Sequence, residues 1–172
     1  DPSIDNMLKI TTDGRKLALD ERILLGGSEH PLGKTKVDYL VEAAAEIYHR
    51  TAEKKSTQLI FCDLSTPKKD GSFSIYDEVK KGLIAHGVDE DEIAFMHDYN
   101  SDSQKENVRR KVRTGAVRFL LGSTALMGEG MNVQNKLIAI HHLDVPWRPK
   151  DLDQRQGRIE RQGNENEEVF VN

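Results

Sequence analysis

Gln58-Leu59-Ile60-Phe61-Cys62 is the stretch on which the fold turns. A short, nearly all-apolar run of this kind suits a strand buried on both faces of a parallel sheet, where covering helices keep water from either side. Working outward, the pattern on both sides is helical. Upstream, Thr35 with Asp38 makes a capping box, and Val37, Leu40, Val41, Ala44 and Tyr48 recur at helical spacing to about Thr51. Downstream, Ser74 with Asp77 caps a second helix carrying Ile75, Val79 and Leu83 on one face, and Gly87 closes it. Glu92-Ile93-Ala94-Phe95-Met96 reads as the next strand, and Ser103 with Glu106 as the cap of a third helix ending at Gly115. Arg118-Phe119-Leu120-Leu121-Gly122 and Leu137 to His142 follow as strands, Asp151 to Ile159 as a fourth helix, and Val169-Phe170-Val171 as a last strand. Strands separated by helical stretches of roughly 10–15 residues imply right-handed βαβ crossovers and one sheet. The expected fold is therefore α/β, a mainly parallel sheet flanked by helices.

The 172 residues carry 25 Lys+Arg against 29 Asp+Glu, a net charge of −4, and one cysteine. That length suits a compact domain and excludes a large multi-lobe enzyme. No apolar run approaches the roughly 18–20 residues of a membrane span, and no secretory-type apolar stretch follows the polar start, so no membrane partner is expected. One cysteine makes no internal disulfide, and the expected setting is soluble and cytoplasmic. The start at Asp1 and the apolar-rich end Val169-Phe170-Val171-Asn172 predict a piece of a longer chain. Residues 1–33 carry Pro2, Gly14, Gly26, Gly27, Pro31 and Gly33 with little periodicity. They are expected to be a lead-in segment or linker packed on the domain, with residues 34–172 as the domain proper, truncated at its C-terminal end.

Sheets of this class bind ligands beyond the carboxyl ends of their strands, so the loops after Cys62, Met96, Gly122 and His142 matter most. Gly33-Lys34-Thr35 invites a P-loop reading, but the motif needs four residues between its first Gly and the Gly-Lys pair, and that place holds Ser28. Pro31 also removes an N–H from the phosphate cradle, so the stretch reads as a loop entering a capped helix. His97, His141, His142 and Asp144 match no metal-ligand spacing, and alternation puts the two adjacent histidines on opposite faces of a strand; no metal site is expected. Cys62 reads as a small core residue. Arg109, Arg110, Lys111, Arg113 and Arg118 gather positive charge, which suits either a phosphate-tracking face or a solvated helix. Trp147, between two prolines, reads as a packing anchor before a base-stacking platform.

The most informative segment is Asp151-Leu152-Asp153-Gln154-Arg155-Gln156-Gly157-Arg158-Ile159-Glu160-Arg161-Gln162-Gly163. On a helix, Gln154, Arg158 and Arg161 stand at i, i+4 and i+7 and share a face. Converging guanidiniums suit a transferring phosphoryl group, whose charge spreads over three equatorial oxygens and for which an inserted Arg contributes about 10³–10⁵ in rate. Gly157 inside that helix would let another backbone or a ligand approach.

Gln154-Arg155-x-Gly157-Arg158-x-x-Arg161-x-Gly163 resembles motif VI of superfamily-two helicases and translocases, and Pro146-Trp147-Arg148-Pro149 resembles the lead into it in Swi/Snf-type members. Leu120-Leu121-Gly122-Ser123-Thr124, continuing to Gly128-Glu129-Gly130-Met131-Asn132, resembles motif V, and Leu59-Ile60-Phe61-Cys62-Asp63 resembles motif IV. The run from Leu120 to Gly163 is also similar to helicase segments of large phage and mobile-element proteins that carry an adenine methylase elsewhere. The resemblance implies the second of two RecA-like lobes, a three-layer domain. It implies Arg158 and Arg161 as arginine fingers with Gln154 near the γ-phosphate. Gly128, Gly130 and Asn132 would lie by the nucleotide, and Ser123 and Thr124 along the nucleic-acid backbone, with Arg109 and Arg113 from the basic face. ATP would be the nucleotide, with Mg2+ held mainly by the missing lobe. The partners implied are DNA, with RNA as the alternative, and the N-terminal RecA-like lobe of the same parent chain. The isolated chain is expected not to turn over ATP. The rival readings are a non-catalytic nucleic-acid-binding or interaction module and, behind it, a self-contained P-loop NTPase.

Overall fold

The computed structural model describes every residue except 1–5, 28–32, 69, 128–130, 147, 158, 160 and 161. The described elements run α1 (Met7–Leu19), α2 (Lys36–Arg50), β1 (Thr57–Phe61), α3 (Ile75–Ala85), β2 (Ile93–Phe95), α4 (Asp102–Thr114), β3 (Phe119–Gly122), α5 (Thr124–Met127), β4 (Leu137–His142), α6 (Pro149–Gln156) and β5 (Phe170–Val171). The five strands form one sheet in the order β2-β3-β1-β4-β5, and every pairing is parallel. β1 lies at the centre, between β3 and β4, so the loops after these three strands emerge side by side. No helix among the described residues is long and apolar enough to cross a membrane.

All five residues of β1 are buried, as a strand covered on both faces must be. Leu59 and Phe61 face one way, into a core with Leu120, Ile140, Val108, Val112 and Met127, under α4 and α5. Ile60 and Cys62 face the other, with Val41, Ala44, Ile75, Val79 and Leu83 of α2 and α3. The result is three layers, helices over both faces of a parallel sheet, as the RecA-like expectation requires. Gln58 is polar in the middle of this core and is satisfied locally: its Nε2 donates to the Ala44 carbonyl at 2.9 Å, and its Oε1 lies 2.8 Å from His141 Nε2. Burial pushes the His141 imidazole down to about 4, so the ring is neutral, with Nε2–H donating to Gln58.

Local chemistry explains where helices begin and end. Thr35 and Asp38 form the expected capping box on α2. Ser74 caps α3 through the Tyr76 N–H, and the box with Asp77 is not seen. The cap of α4 is Ser101 with Gln104, two residues earlier than expected, because that pair brings the side chain and backbone into register. Glu106 is thereby released to bind Arg113 at 2.5 Å and Arg109 at 3.6 Å. Gly115 ends α4 with φ +77°, and a Cβ there would stand 2.6 Å from the Lys55 carbonyl. Only glycine meets both conditions.

The segment before Thr35 departs from expectation. It holds a 13-residue helix, α1, capped by the Asn6 side chain on the Lys9 N–H. Met7, Leu8, Ile10 and Leu17 of α1 remain exposed and only Leu19 is buried. With no apolar stripe facing the core, the helix left no periodic signal, and Gly14 in its middle weakened the propensity signal further. α1 is tied to the domain by Arg15, whose Nη2 donates to the Val145 carbonyl.

The fourth helix also differs. It begins at Pro149, in the first-turn position proline favours, and stops at Gln156, with Gly157 as its C-cap, short of the expected Ile159. Gly157 is thus the C-cap of the described helix, and Arg158 and Arg161, the other two members of the i, i+4, i+7 set drawn from Gln154, lie outside the described residues. Arg118 is corrected as well. Its side chain is buried, with Nε donating to the Ser56 carbonyl at 2.6 Å and Nη2 to the Tyr48 carbonyl at 2.9 Å, and its guanidinium lies 4.2 Å over the Tyr48 ring. It ties the end of α2 to β3 and contributes nothing to a basic surface.

Candidate active site and nucleic-acid interface

The crevice lies where the sheet rule places it, beyond the carboxyl ends of β1, β3 and β4. Asp63 follows β1, Ser123 and Thr124 follow β3, and His142 with Asp144 closes β4. Gly122, the last residue of β3, makes the turn compact: a Cβ there would stand 2.6 Å from Met127 Cγ and 3.1 Å from Met96 Cβ. Its absence lets α5 fold back against the strand and turns Ser123 and Thr124 toward the crevice. Asp63, Thr66, Ser123, Thr124, Ala125, Asp151 and Gln154 line a cleft of about 550 Å³. Asp63 and Asp151 also border a second cleft of about 470 Å³ with Leu8, Arg15, Pro146 and Arg148.

Arg155 forms the floor between these loops. It is fully buried on α6 and spans three of them. Its Nη2 donates to Asp63 Oδ2 at 2.7 Å and Asp144 Oδ1 at 3.2 Å, its Nε to Thr124 Oγ1 at 2.8 Å, and its Nη1 to the Asp144 carbonyl at 2.9 Å. Nη1 also faces His142 Nδ1 at 3.4 Å, and the guanidinium lies 5.1 Å from the centre of the Phe61 ring. The acceptors are themselves cross-linked. Thr124 donates its N–H to Asp63 Oδ1 at 2.6 Å and its hydroxyl to Asp63 Oδ2 at 2.9 Å. Asp144 Oδ2 receives the N–H groups of Asp63 and Leu64 at 2.5 and 2.9 Å.

The charges follow from this geometry. Burial and the neighbouring Asp63 charge raise the Asp144 carboxyl above its ordinary value, against the pull of Arg155 and the two N–H groups. Burial and the Arg155 charge push His142 down to about 4, so its Nδ1 is a neutral acceptor toward the guanidinium. His142 stacks on Phe61 at 6.0 Å while His141 points to the opposite face, the split that strand alternation predicts. Burial and the Asp144 charge push the Cys62 thiol up to about 12, which leaves an inert core residue.

The sequence-predicted residues fall into three groups. Ser123, Thr124 and Gln154 come together on one cleft. Arg113 and Asn132 meet on the α4 side, where Arg113 Nη1 donates to the Asn132 carbonyl at 2.9 Å, and Arg109 and Arg113 share Glu106. Arg158, Arg161, Gly128, Gly130, Glu129 and Trp147 lie outside the described residues, as do Ser28 to Leu32 of the P-loop near miss. Lys34 pairs with the helix that follows it: its Nζ lies 2.6 Å from Glu42 Oε1 of α2, and Leu24 to Gly27 before it form a turn. In the sequence Arg155 and Asp63 stand only as members of the motif VI and motif IV segments, and Asp144 only as a rejected metal candidate, with no site role drawn for any of them. A signal for Arg155 was present, because it lies at i+3 from Leu152 and i−4 from Ile159, on the apolar side of its helix. An arginine there must be buried and paired.

Mg2+ finds no cage in this arrangement. The crevice carboxylates Asp63 and Asp144 are taken up by Arg155 and backbone N–H groups, and no three acidic, His or Cys side chains among the described residues gather to hold a metal.

A parallel sheet with paired loops at its switch point, a hydroxyl-bearing turn after β3 and a Gln-Arg helix after β4 define a RecA-like lobe. Residues 36–163 match the helicase conserved C-terminal domain, and the chain belongs to that family. Among solved structures it is similar to the DUF1998 helicase MrfA bound to DNA, with a TM-score of 0.53 and 12% identity, over 76% of this chain and 17% of that one. The Pyrococcus furiosus Hef helicase domain gives 0.52 and 17%, over 82% and 25%. The C-terminal part of the Fun30 ATPase domain gives 0.54 and 17%, over 76% and 38%. At such identities the likeness shows the fold alone, and the chain spans less than two-fifths of each of those chains. No curated protein matches the chain.

Proposed function

We propose that this chain is the second lobe of an ATP-dependent nucleic-acid translocase of the Swi/Snf type, from a phage or mobile-element parent, and that it completes an active site held mainly by the preceding lobe. The observation that carries this reading is the convergence of Asp63, Ser123, Thr124, Gln154 and Arg155 beyond the central strands of a helicase C-terminal domain. In this reading Arg158 and Arg161 reach the γ-phosphate of ATP with Gln154 beside them. Gly128, Gly130 and Asn132 border the nucleotide, and Mg2+ is bound by the preceding lobe. Ser123 and Thr124 lie along the nucleic-acid backbone, whose oxygens hydroxyls and N–H groups can bind without reading sequence. Arg109 and Arg113 extend that track, with Glu106 setting their direction. ATP draws the lobes together, and hydrolysis reopens the cleft and steps the protein along DNA.

The test supplies the preceding lobe and measures DNA-stimulated ATP turnover. Arg158→Ala and Arg161→Ala are expected to lower it by about 10³-fold or more. Retained turnover in both variants would remove the finger assignment. The isolated chain is expected to bind ATP weakly and not to hydrolyse it. Robust turnover abolished by Lys34→Ala would instead favour a self-contained NTPase, an outcome that the Lys34–Glu42 pair speaks against.

A further inference from the structure

We infer that Arg155 is a positioning residue that locks the loops after β1, β3 and β4 into one body, so that grip on nucleic acid and delivery of the arginines move together. The inference rests on the translocase reading above. Its basis is the saturation of a single guanidinium. An arginine has five N–H donors in a fixed planar fork. Here Nε takes Thr124 Oγ1, Nη2 takes Asp63 and Asp144 carboxylate oxygens, and Nη1 takes the Asp144 carbonyl and faces His142 Nδ1. Every donor has a direction, and the directions lead to three different strand ends.

Both sides of the proposed active site hang from this point. Thr124, beside Ser123 on the proposed nucleic-acid track, is held by Arg155 and Asp63 simultaneously. Arg155 follows Gln154 on the last turn of α6 and precedes Arg158 by three residues in the chain, so whatever moves that turn also moves Gln154 of the proposed phosphate-binding set. A buried cation is expensive to hold, and an apolar side chain in its place is often neutral or stabilising. A core built for stability alone has no need of it. What the guanidinium supplies is direction: a rigid, stoichiometric link among loops that share no secondary structure. Lysine cannot replace it, because an ammonium at the carboxylates has no planar fork with which to reach Thr124 and the Asp144 carbonyl together.

The experiment uses the full parent protein with its preceding lobe and reads ATP turnover with and without single-stranded and duplex DNA. Arg155→Lys is expected to keep the KM for ATP within about twofold, while DNA-stimulated kcat falls about tenfold, because positioning is lost and nucleotide binding is not. Thr124→Ser, which keeps the hydroxyl, should stay near wild type, and Thr124→Val should reproduce the loss. The double variant Thr124→Val with Arg155→Lys should be no worse than either single change, since both break one link. Wild-type stimulation in Arg155→Lys, or losses that multiply in the double variant, would overturn the inference. A KM for ATP that rises in step with the fall in kcat would also overturn it, by showing a merely structural role. If wild type itself shows no DNA stimulation, the translocase reading fails, and the inference with it. If Arg158→Ala and Arg161→Ala abolish turnover while Arg155→Lys and Thr124→Val stay stimulated, only the inference fails.

Discussion

At Asp144 one carboxylate performs two tasks that no other side chain could share. Oδ2 holds the Asp63 and Leu64 N–H groups that begin the loop after β1, and Oδ1 receives Arg155. Removing it strands two N–H groups and leaves a buried guanidinium with Asp63 as its one carboxylate. Asp144→Ala is therefore expected to cost about 3–5 kcal/mol, the range for breaking a buried ion pair from one side. The midpoint of urea unfolding checks this. Had Asp144 stood among the exposed pairs of the surface, such as Lys81 with Glu78, the cost would be below about 1 kcal/mol. The Cys62 thiol, whose chain neighbour Asp63 donates its N–H to Asp144, shows the converse: a residue of reactive type made inert by where it sits.

At the scale of elements, ends matter more than middles. α4 was legible in its periodicity, but its start was misplaced by two residues, because Ser101, Ser103, Gln104 and Glu106 offer two overlapping cap patterns and only backbone geometry chooses between them. Its other end was legible, since Gly115 takes φ +77° against the Lys55 carbonyl. Gly115→Ala is expected to destabilise by more than about 1 kcal/mol, because the new methyl meets backbone and the conformation disfavours it. Gly14 in α1 has open space around it, and Gly14→Ala should stabilise by about 0.5–1 kcal/mol through helix propensity. Thermal melts of the two variants should move in opposite directions. A common direction would mean that α1 is not the helix described. α6 shows the same lesson as α4. The apolar and basic residues from Asp151 to Ile159 read as one helix, yet Gly157 ends it, and a glycine at a helix end and one inside a helix look alike in sequence.

At the scale of the whole molecule, two neutral imidazoles are enclosed in a domain of net charge −4. His141 and His142 are each held down to about 4, against 6.5 for an exposed ring. The unfolded chain therefore takes up protons on both rings between about pH 6.5 and 4 while the folded chain does not, and stability falls as pH falls through that window. Asp144 acts in the opposite sense above 3.8, because its raised carboxyl binds a proton in the fold before it would in the unfolded chain. Between pH 7 and 5 both imidazoles act in the same direction. The urea midpoint should drop from pH 7 to pH 5, and His142→Phe, which keeps a ring over Phe61, should lessen the drop. A midpoint unchanged by pH would mean that these rings are hydrated.

The sequence by itself determined the layering. Alternation of apolar strands with amphipathic helices is set by local hydrophobic spacing, and a strand as apolar as Gln58 to Cys62 has no stable place except between two helical layers. It also determined which loops matter, because a parallel sheet leaves only its carboxyl ends open to a ligand. Only the tertiary structure decided what joins those loops. Asp63, Thr124, Asp144 and Arg155 are spread over more than ninety residues of chain, Asp63 and Arg155 standing 92 positions apart, and no local pattern links them. Their meeting depends on the order β3-β1-β4, which places three distant strand ends side by side. The same holds for Arg118, which reads as surface charge until β3 is laid against the end of α2. A charged side chain shows its role only when its partners are known. Partners brought together by sheet order are a property of the fold, whereas an apolar face is a property of the segment that carries it.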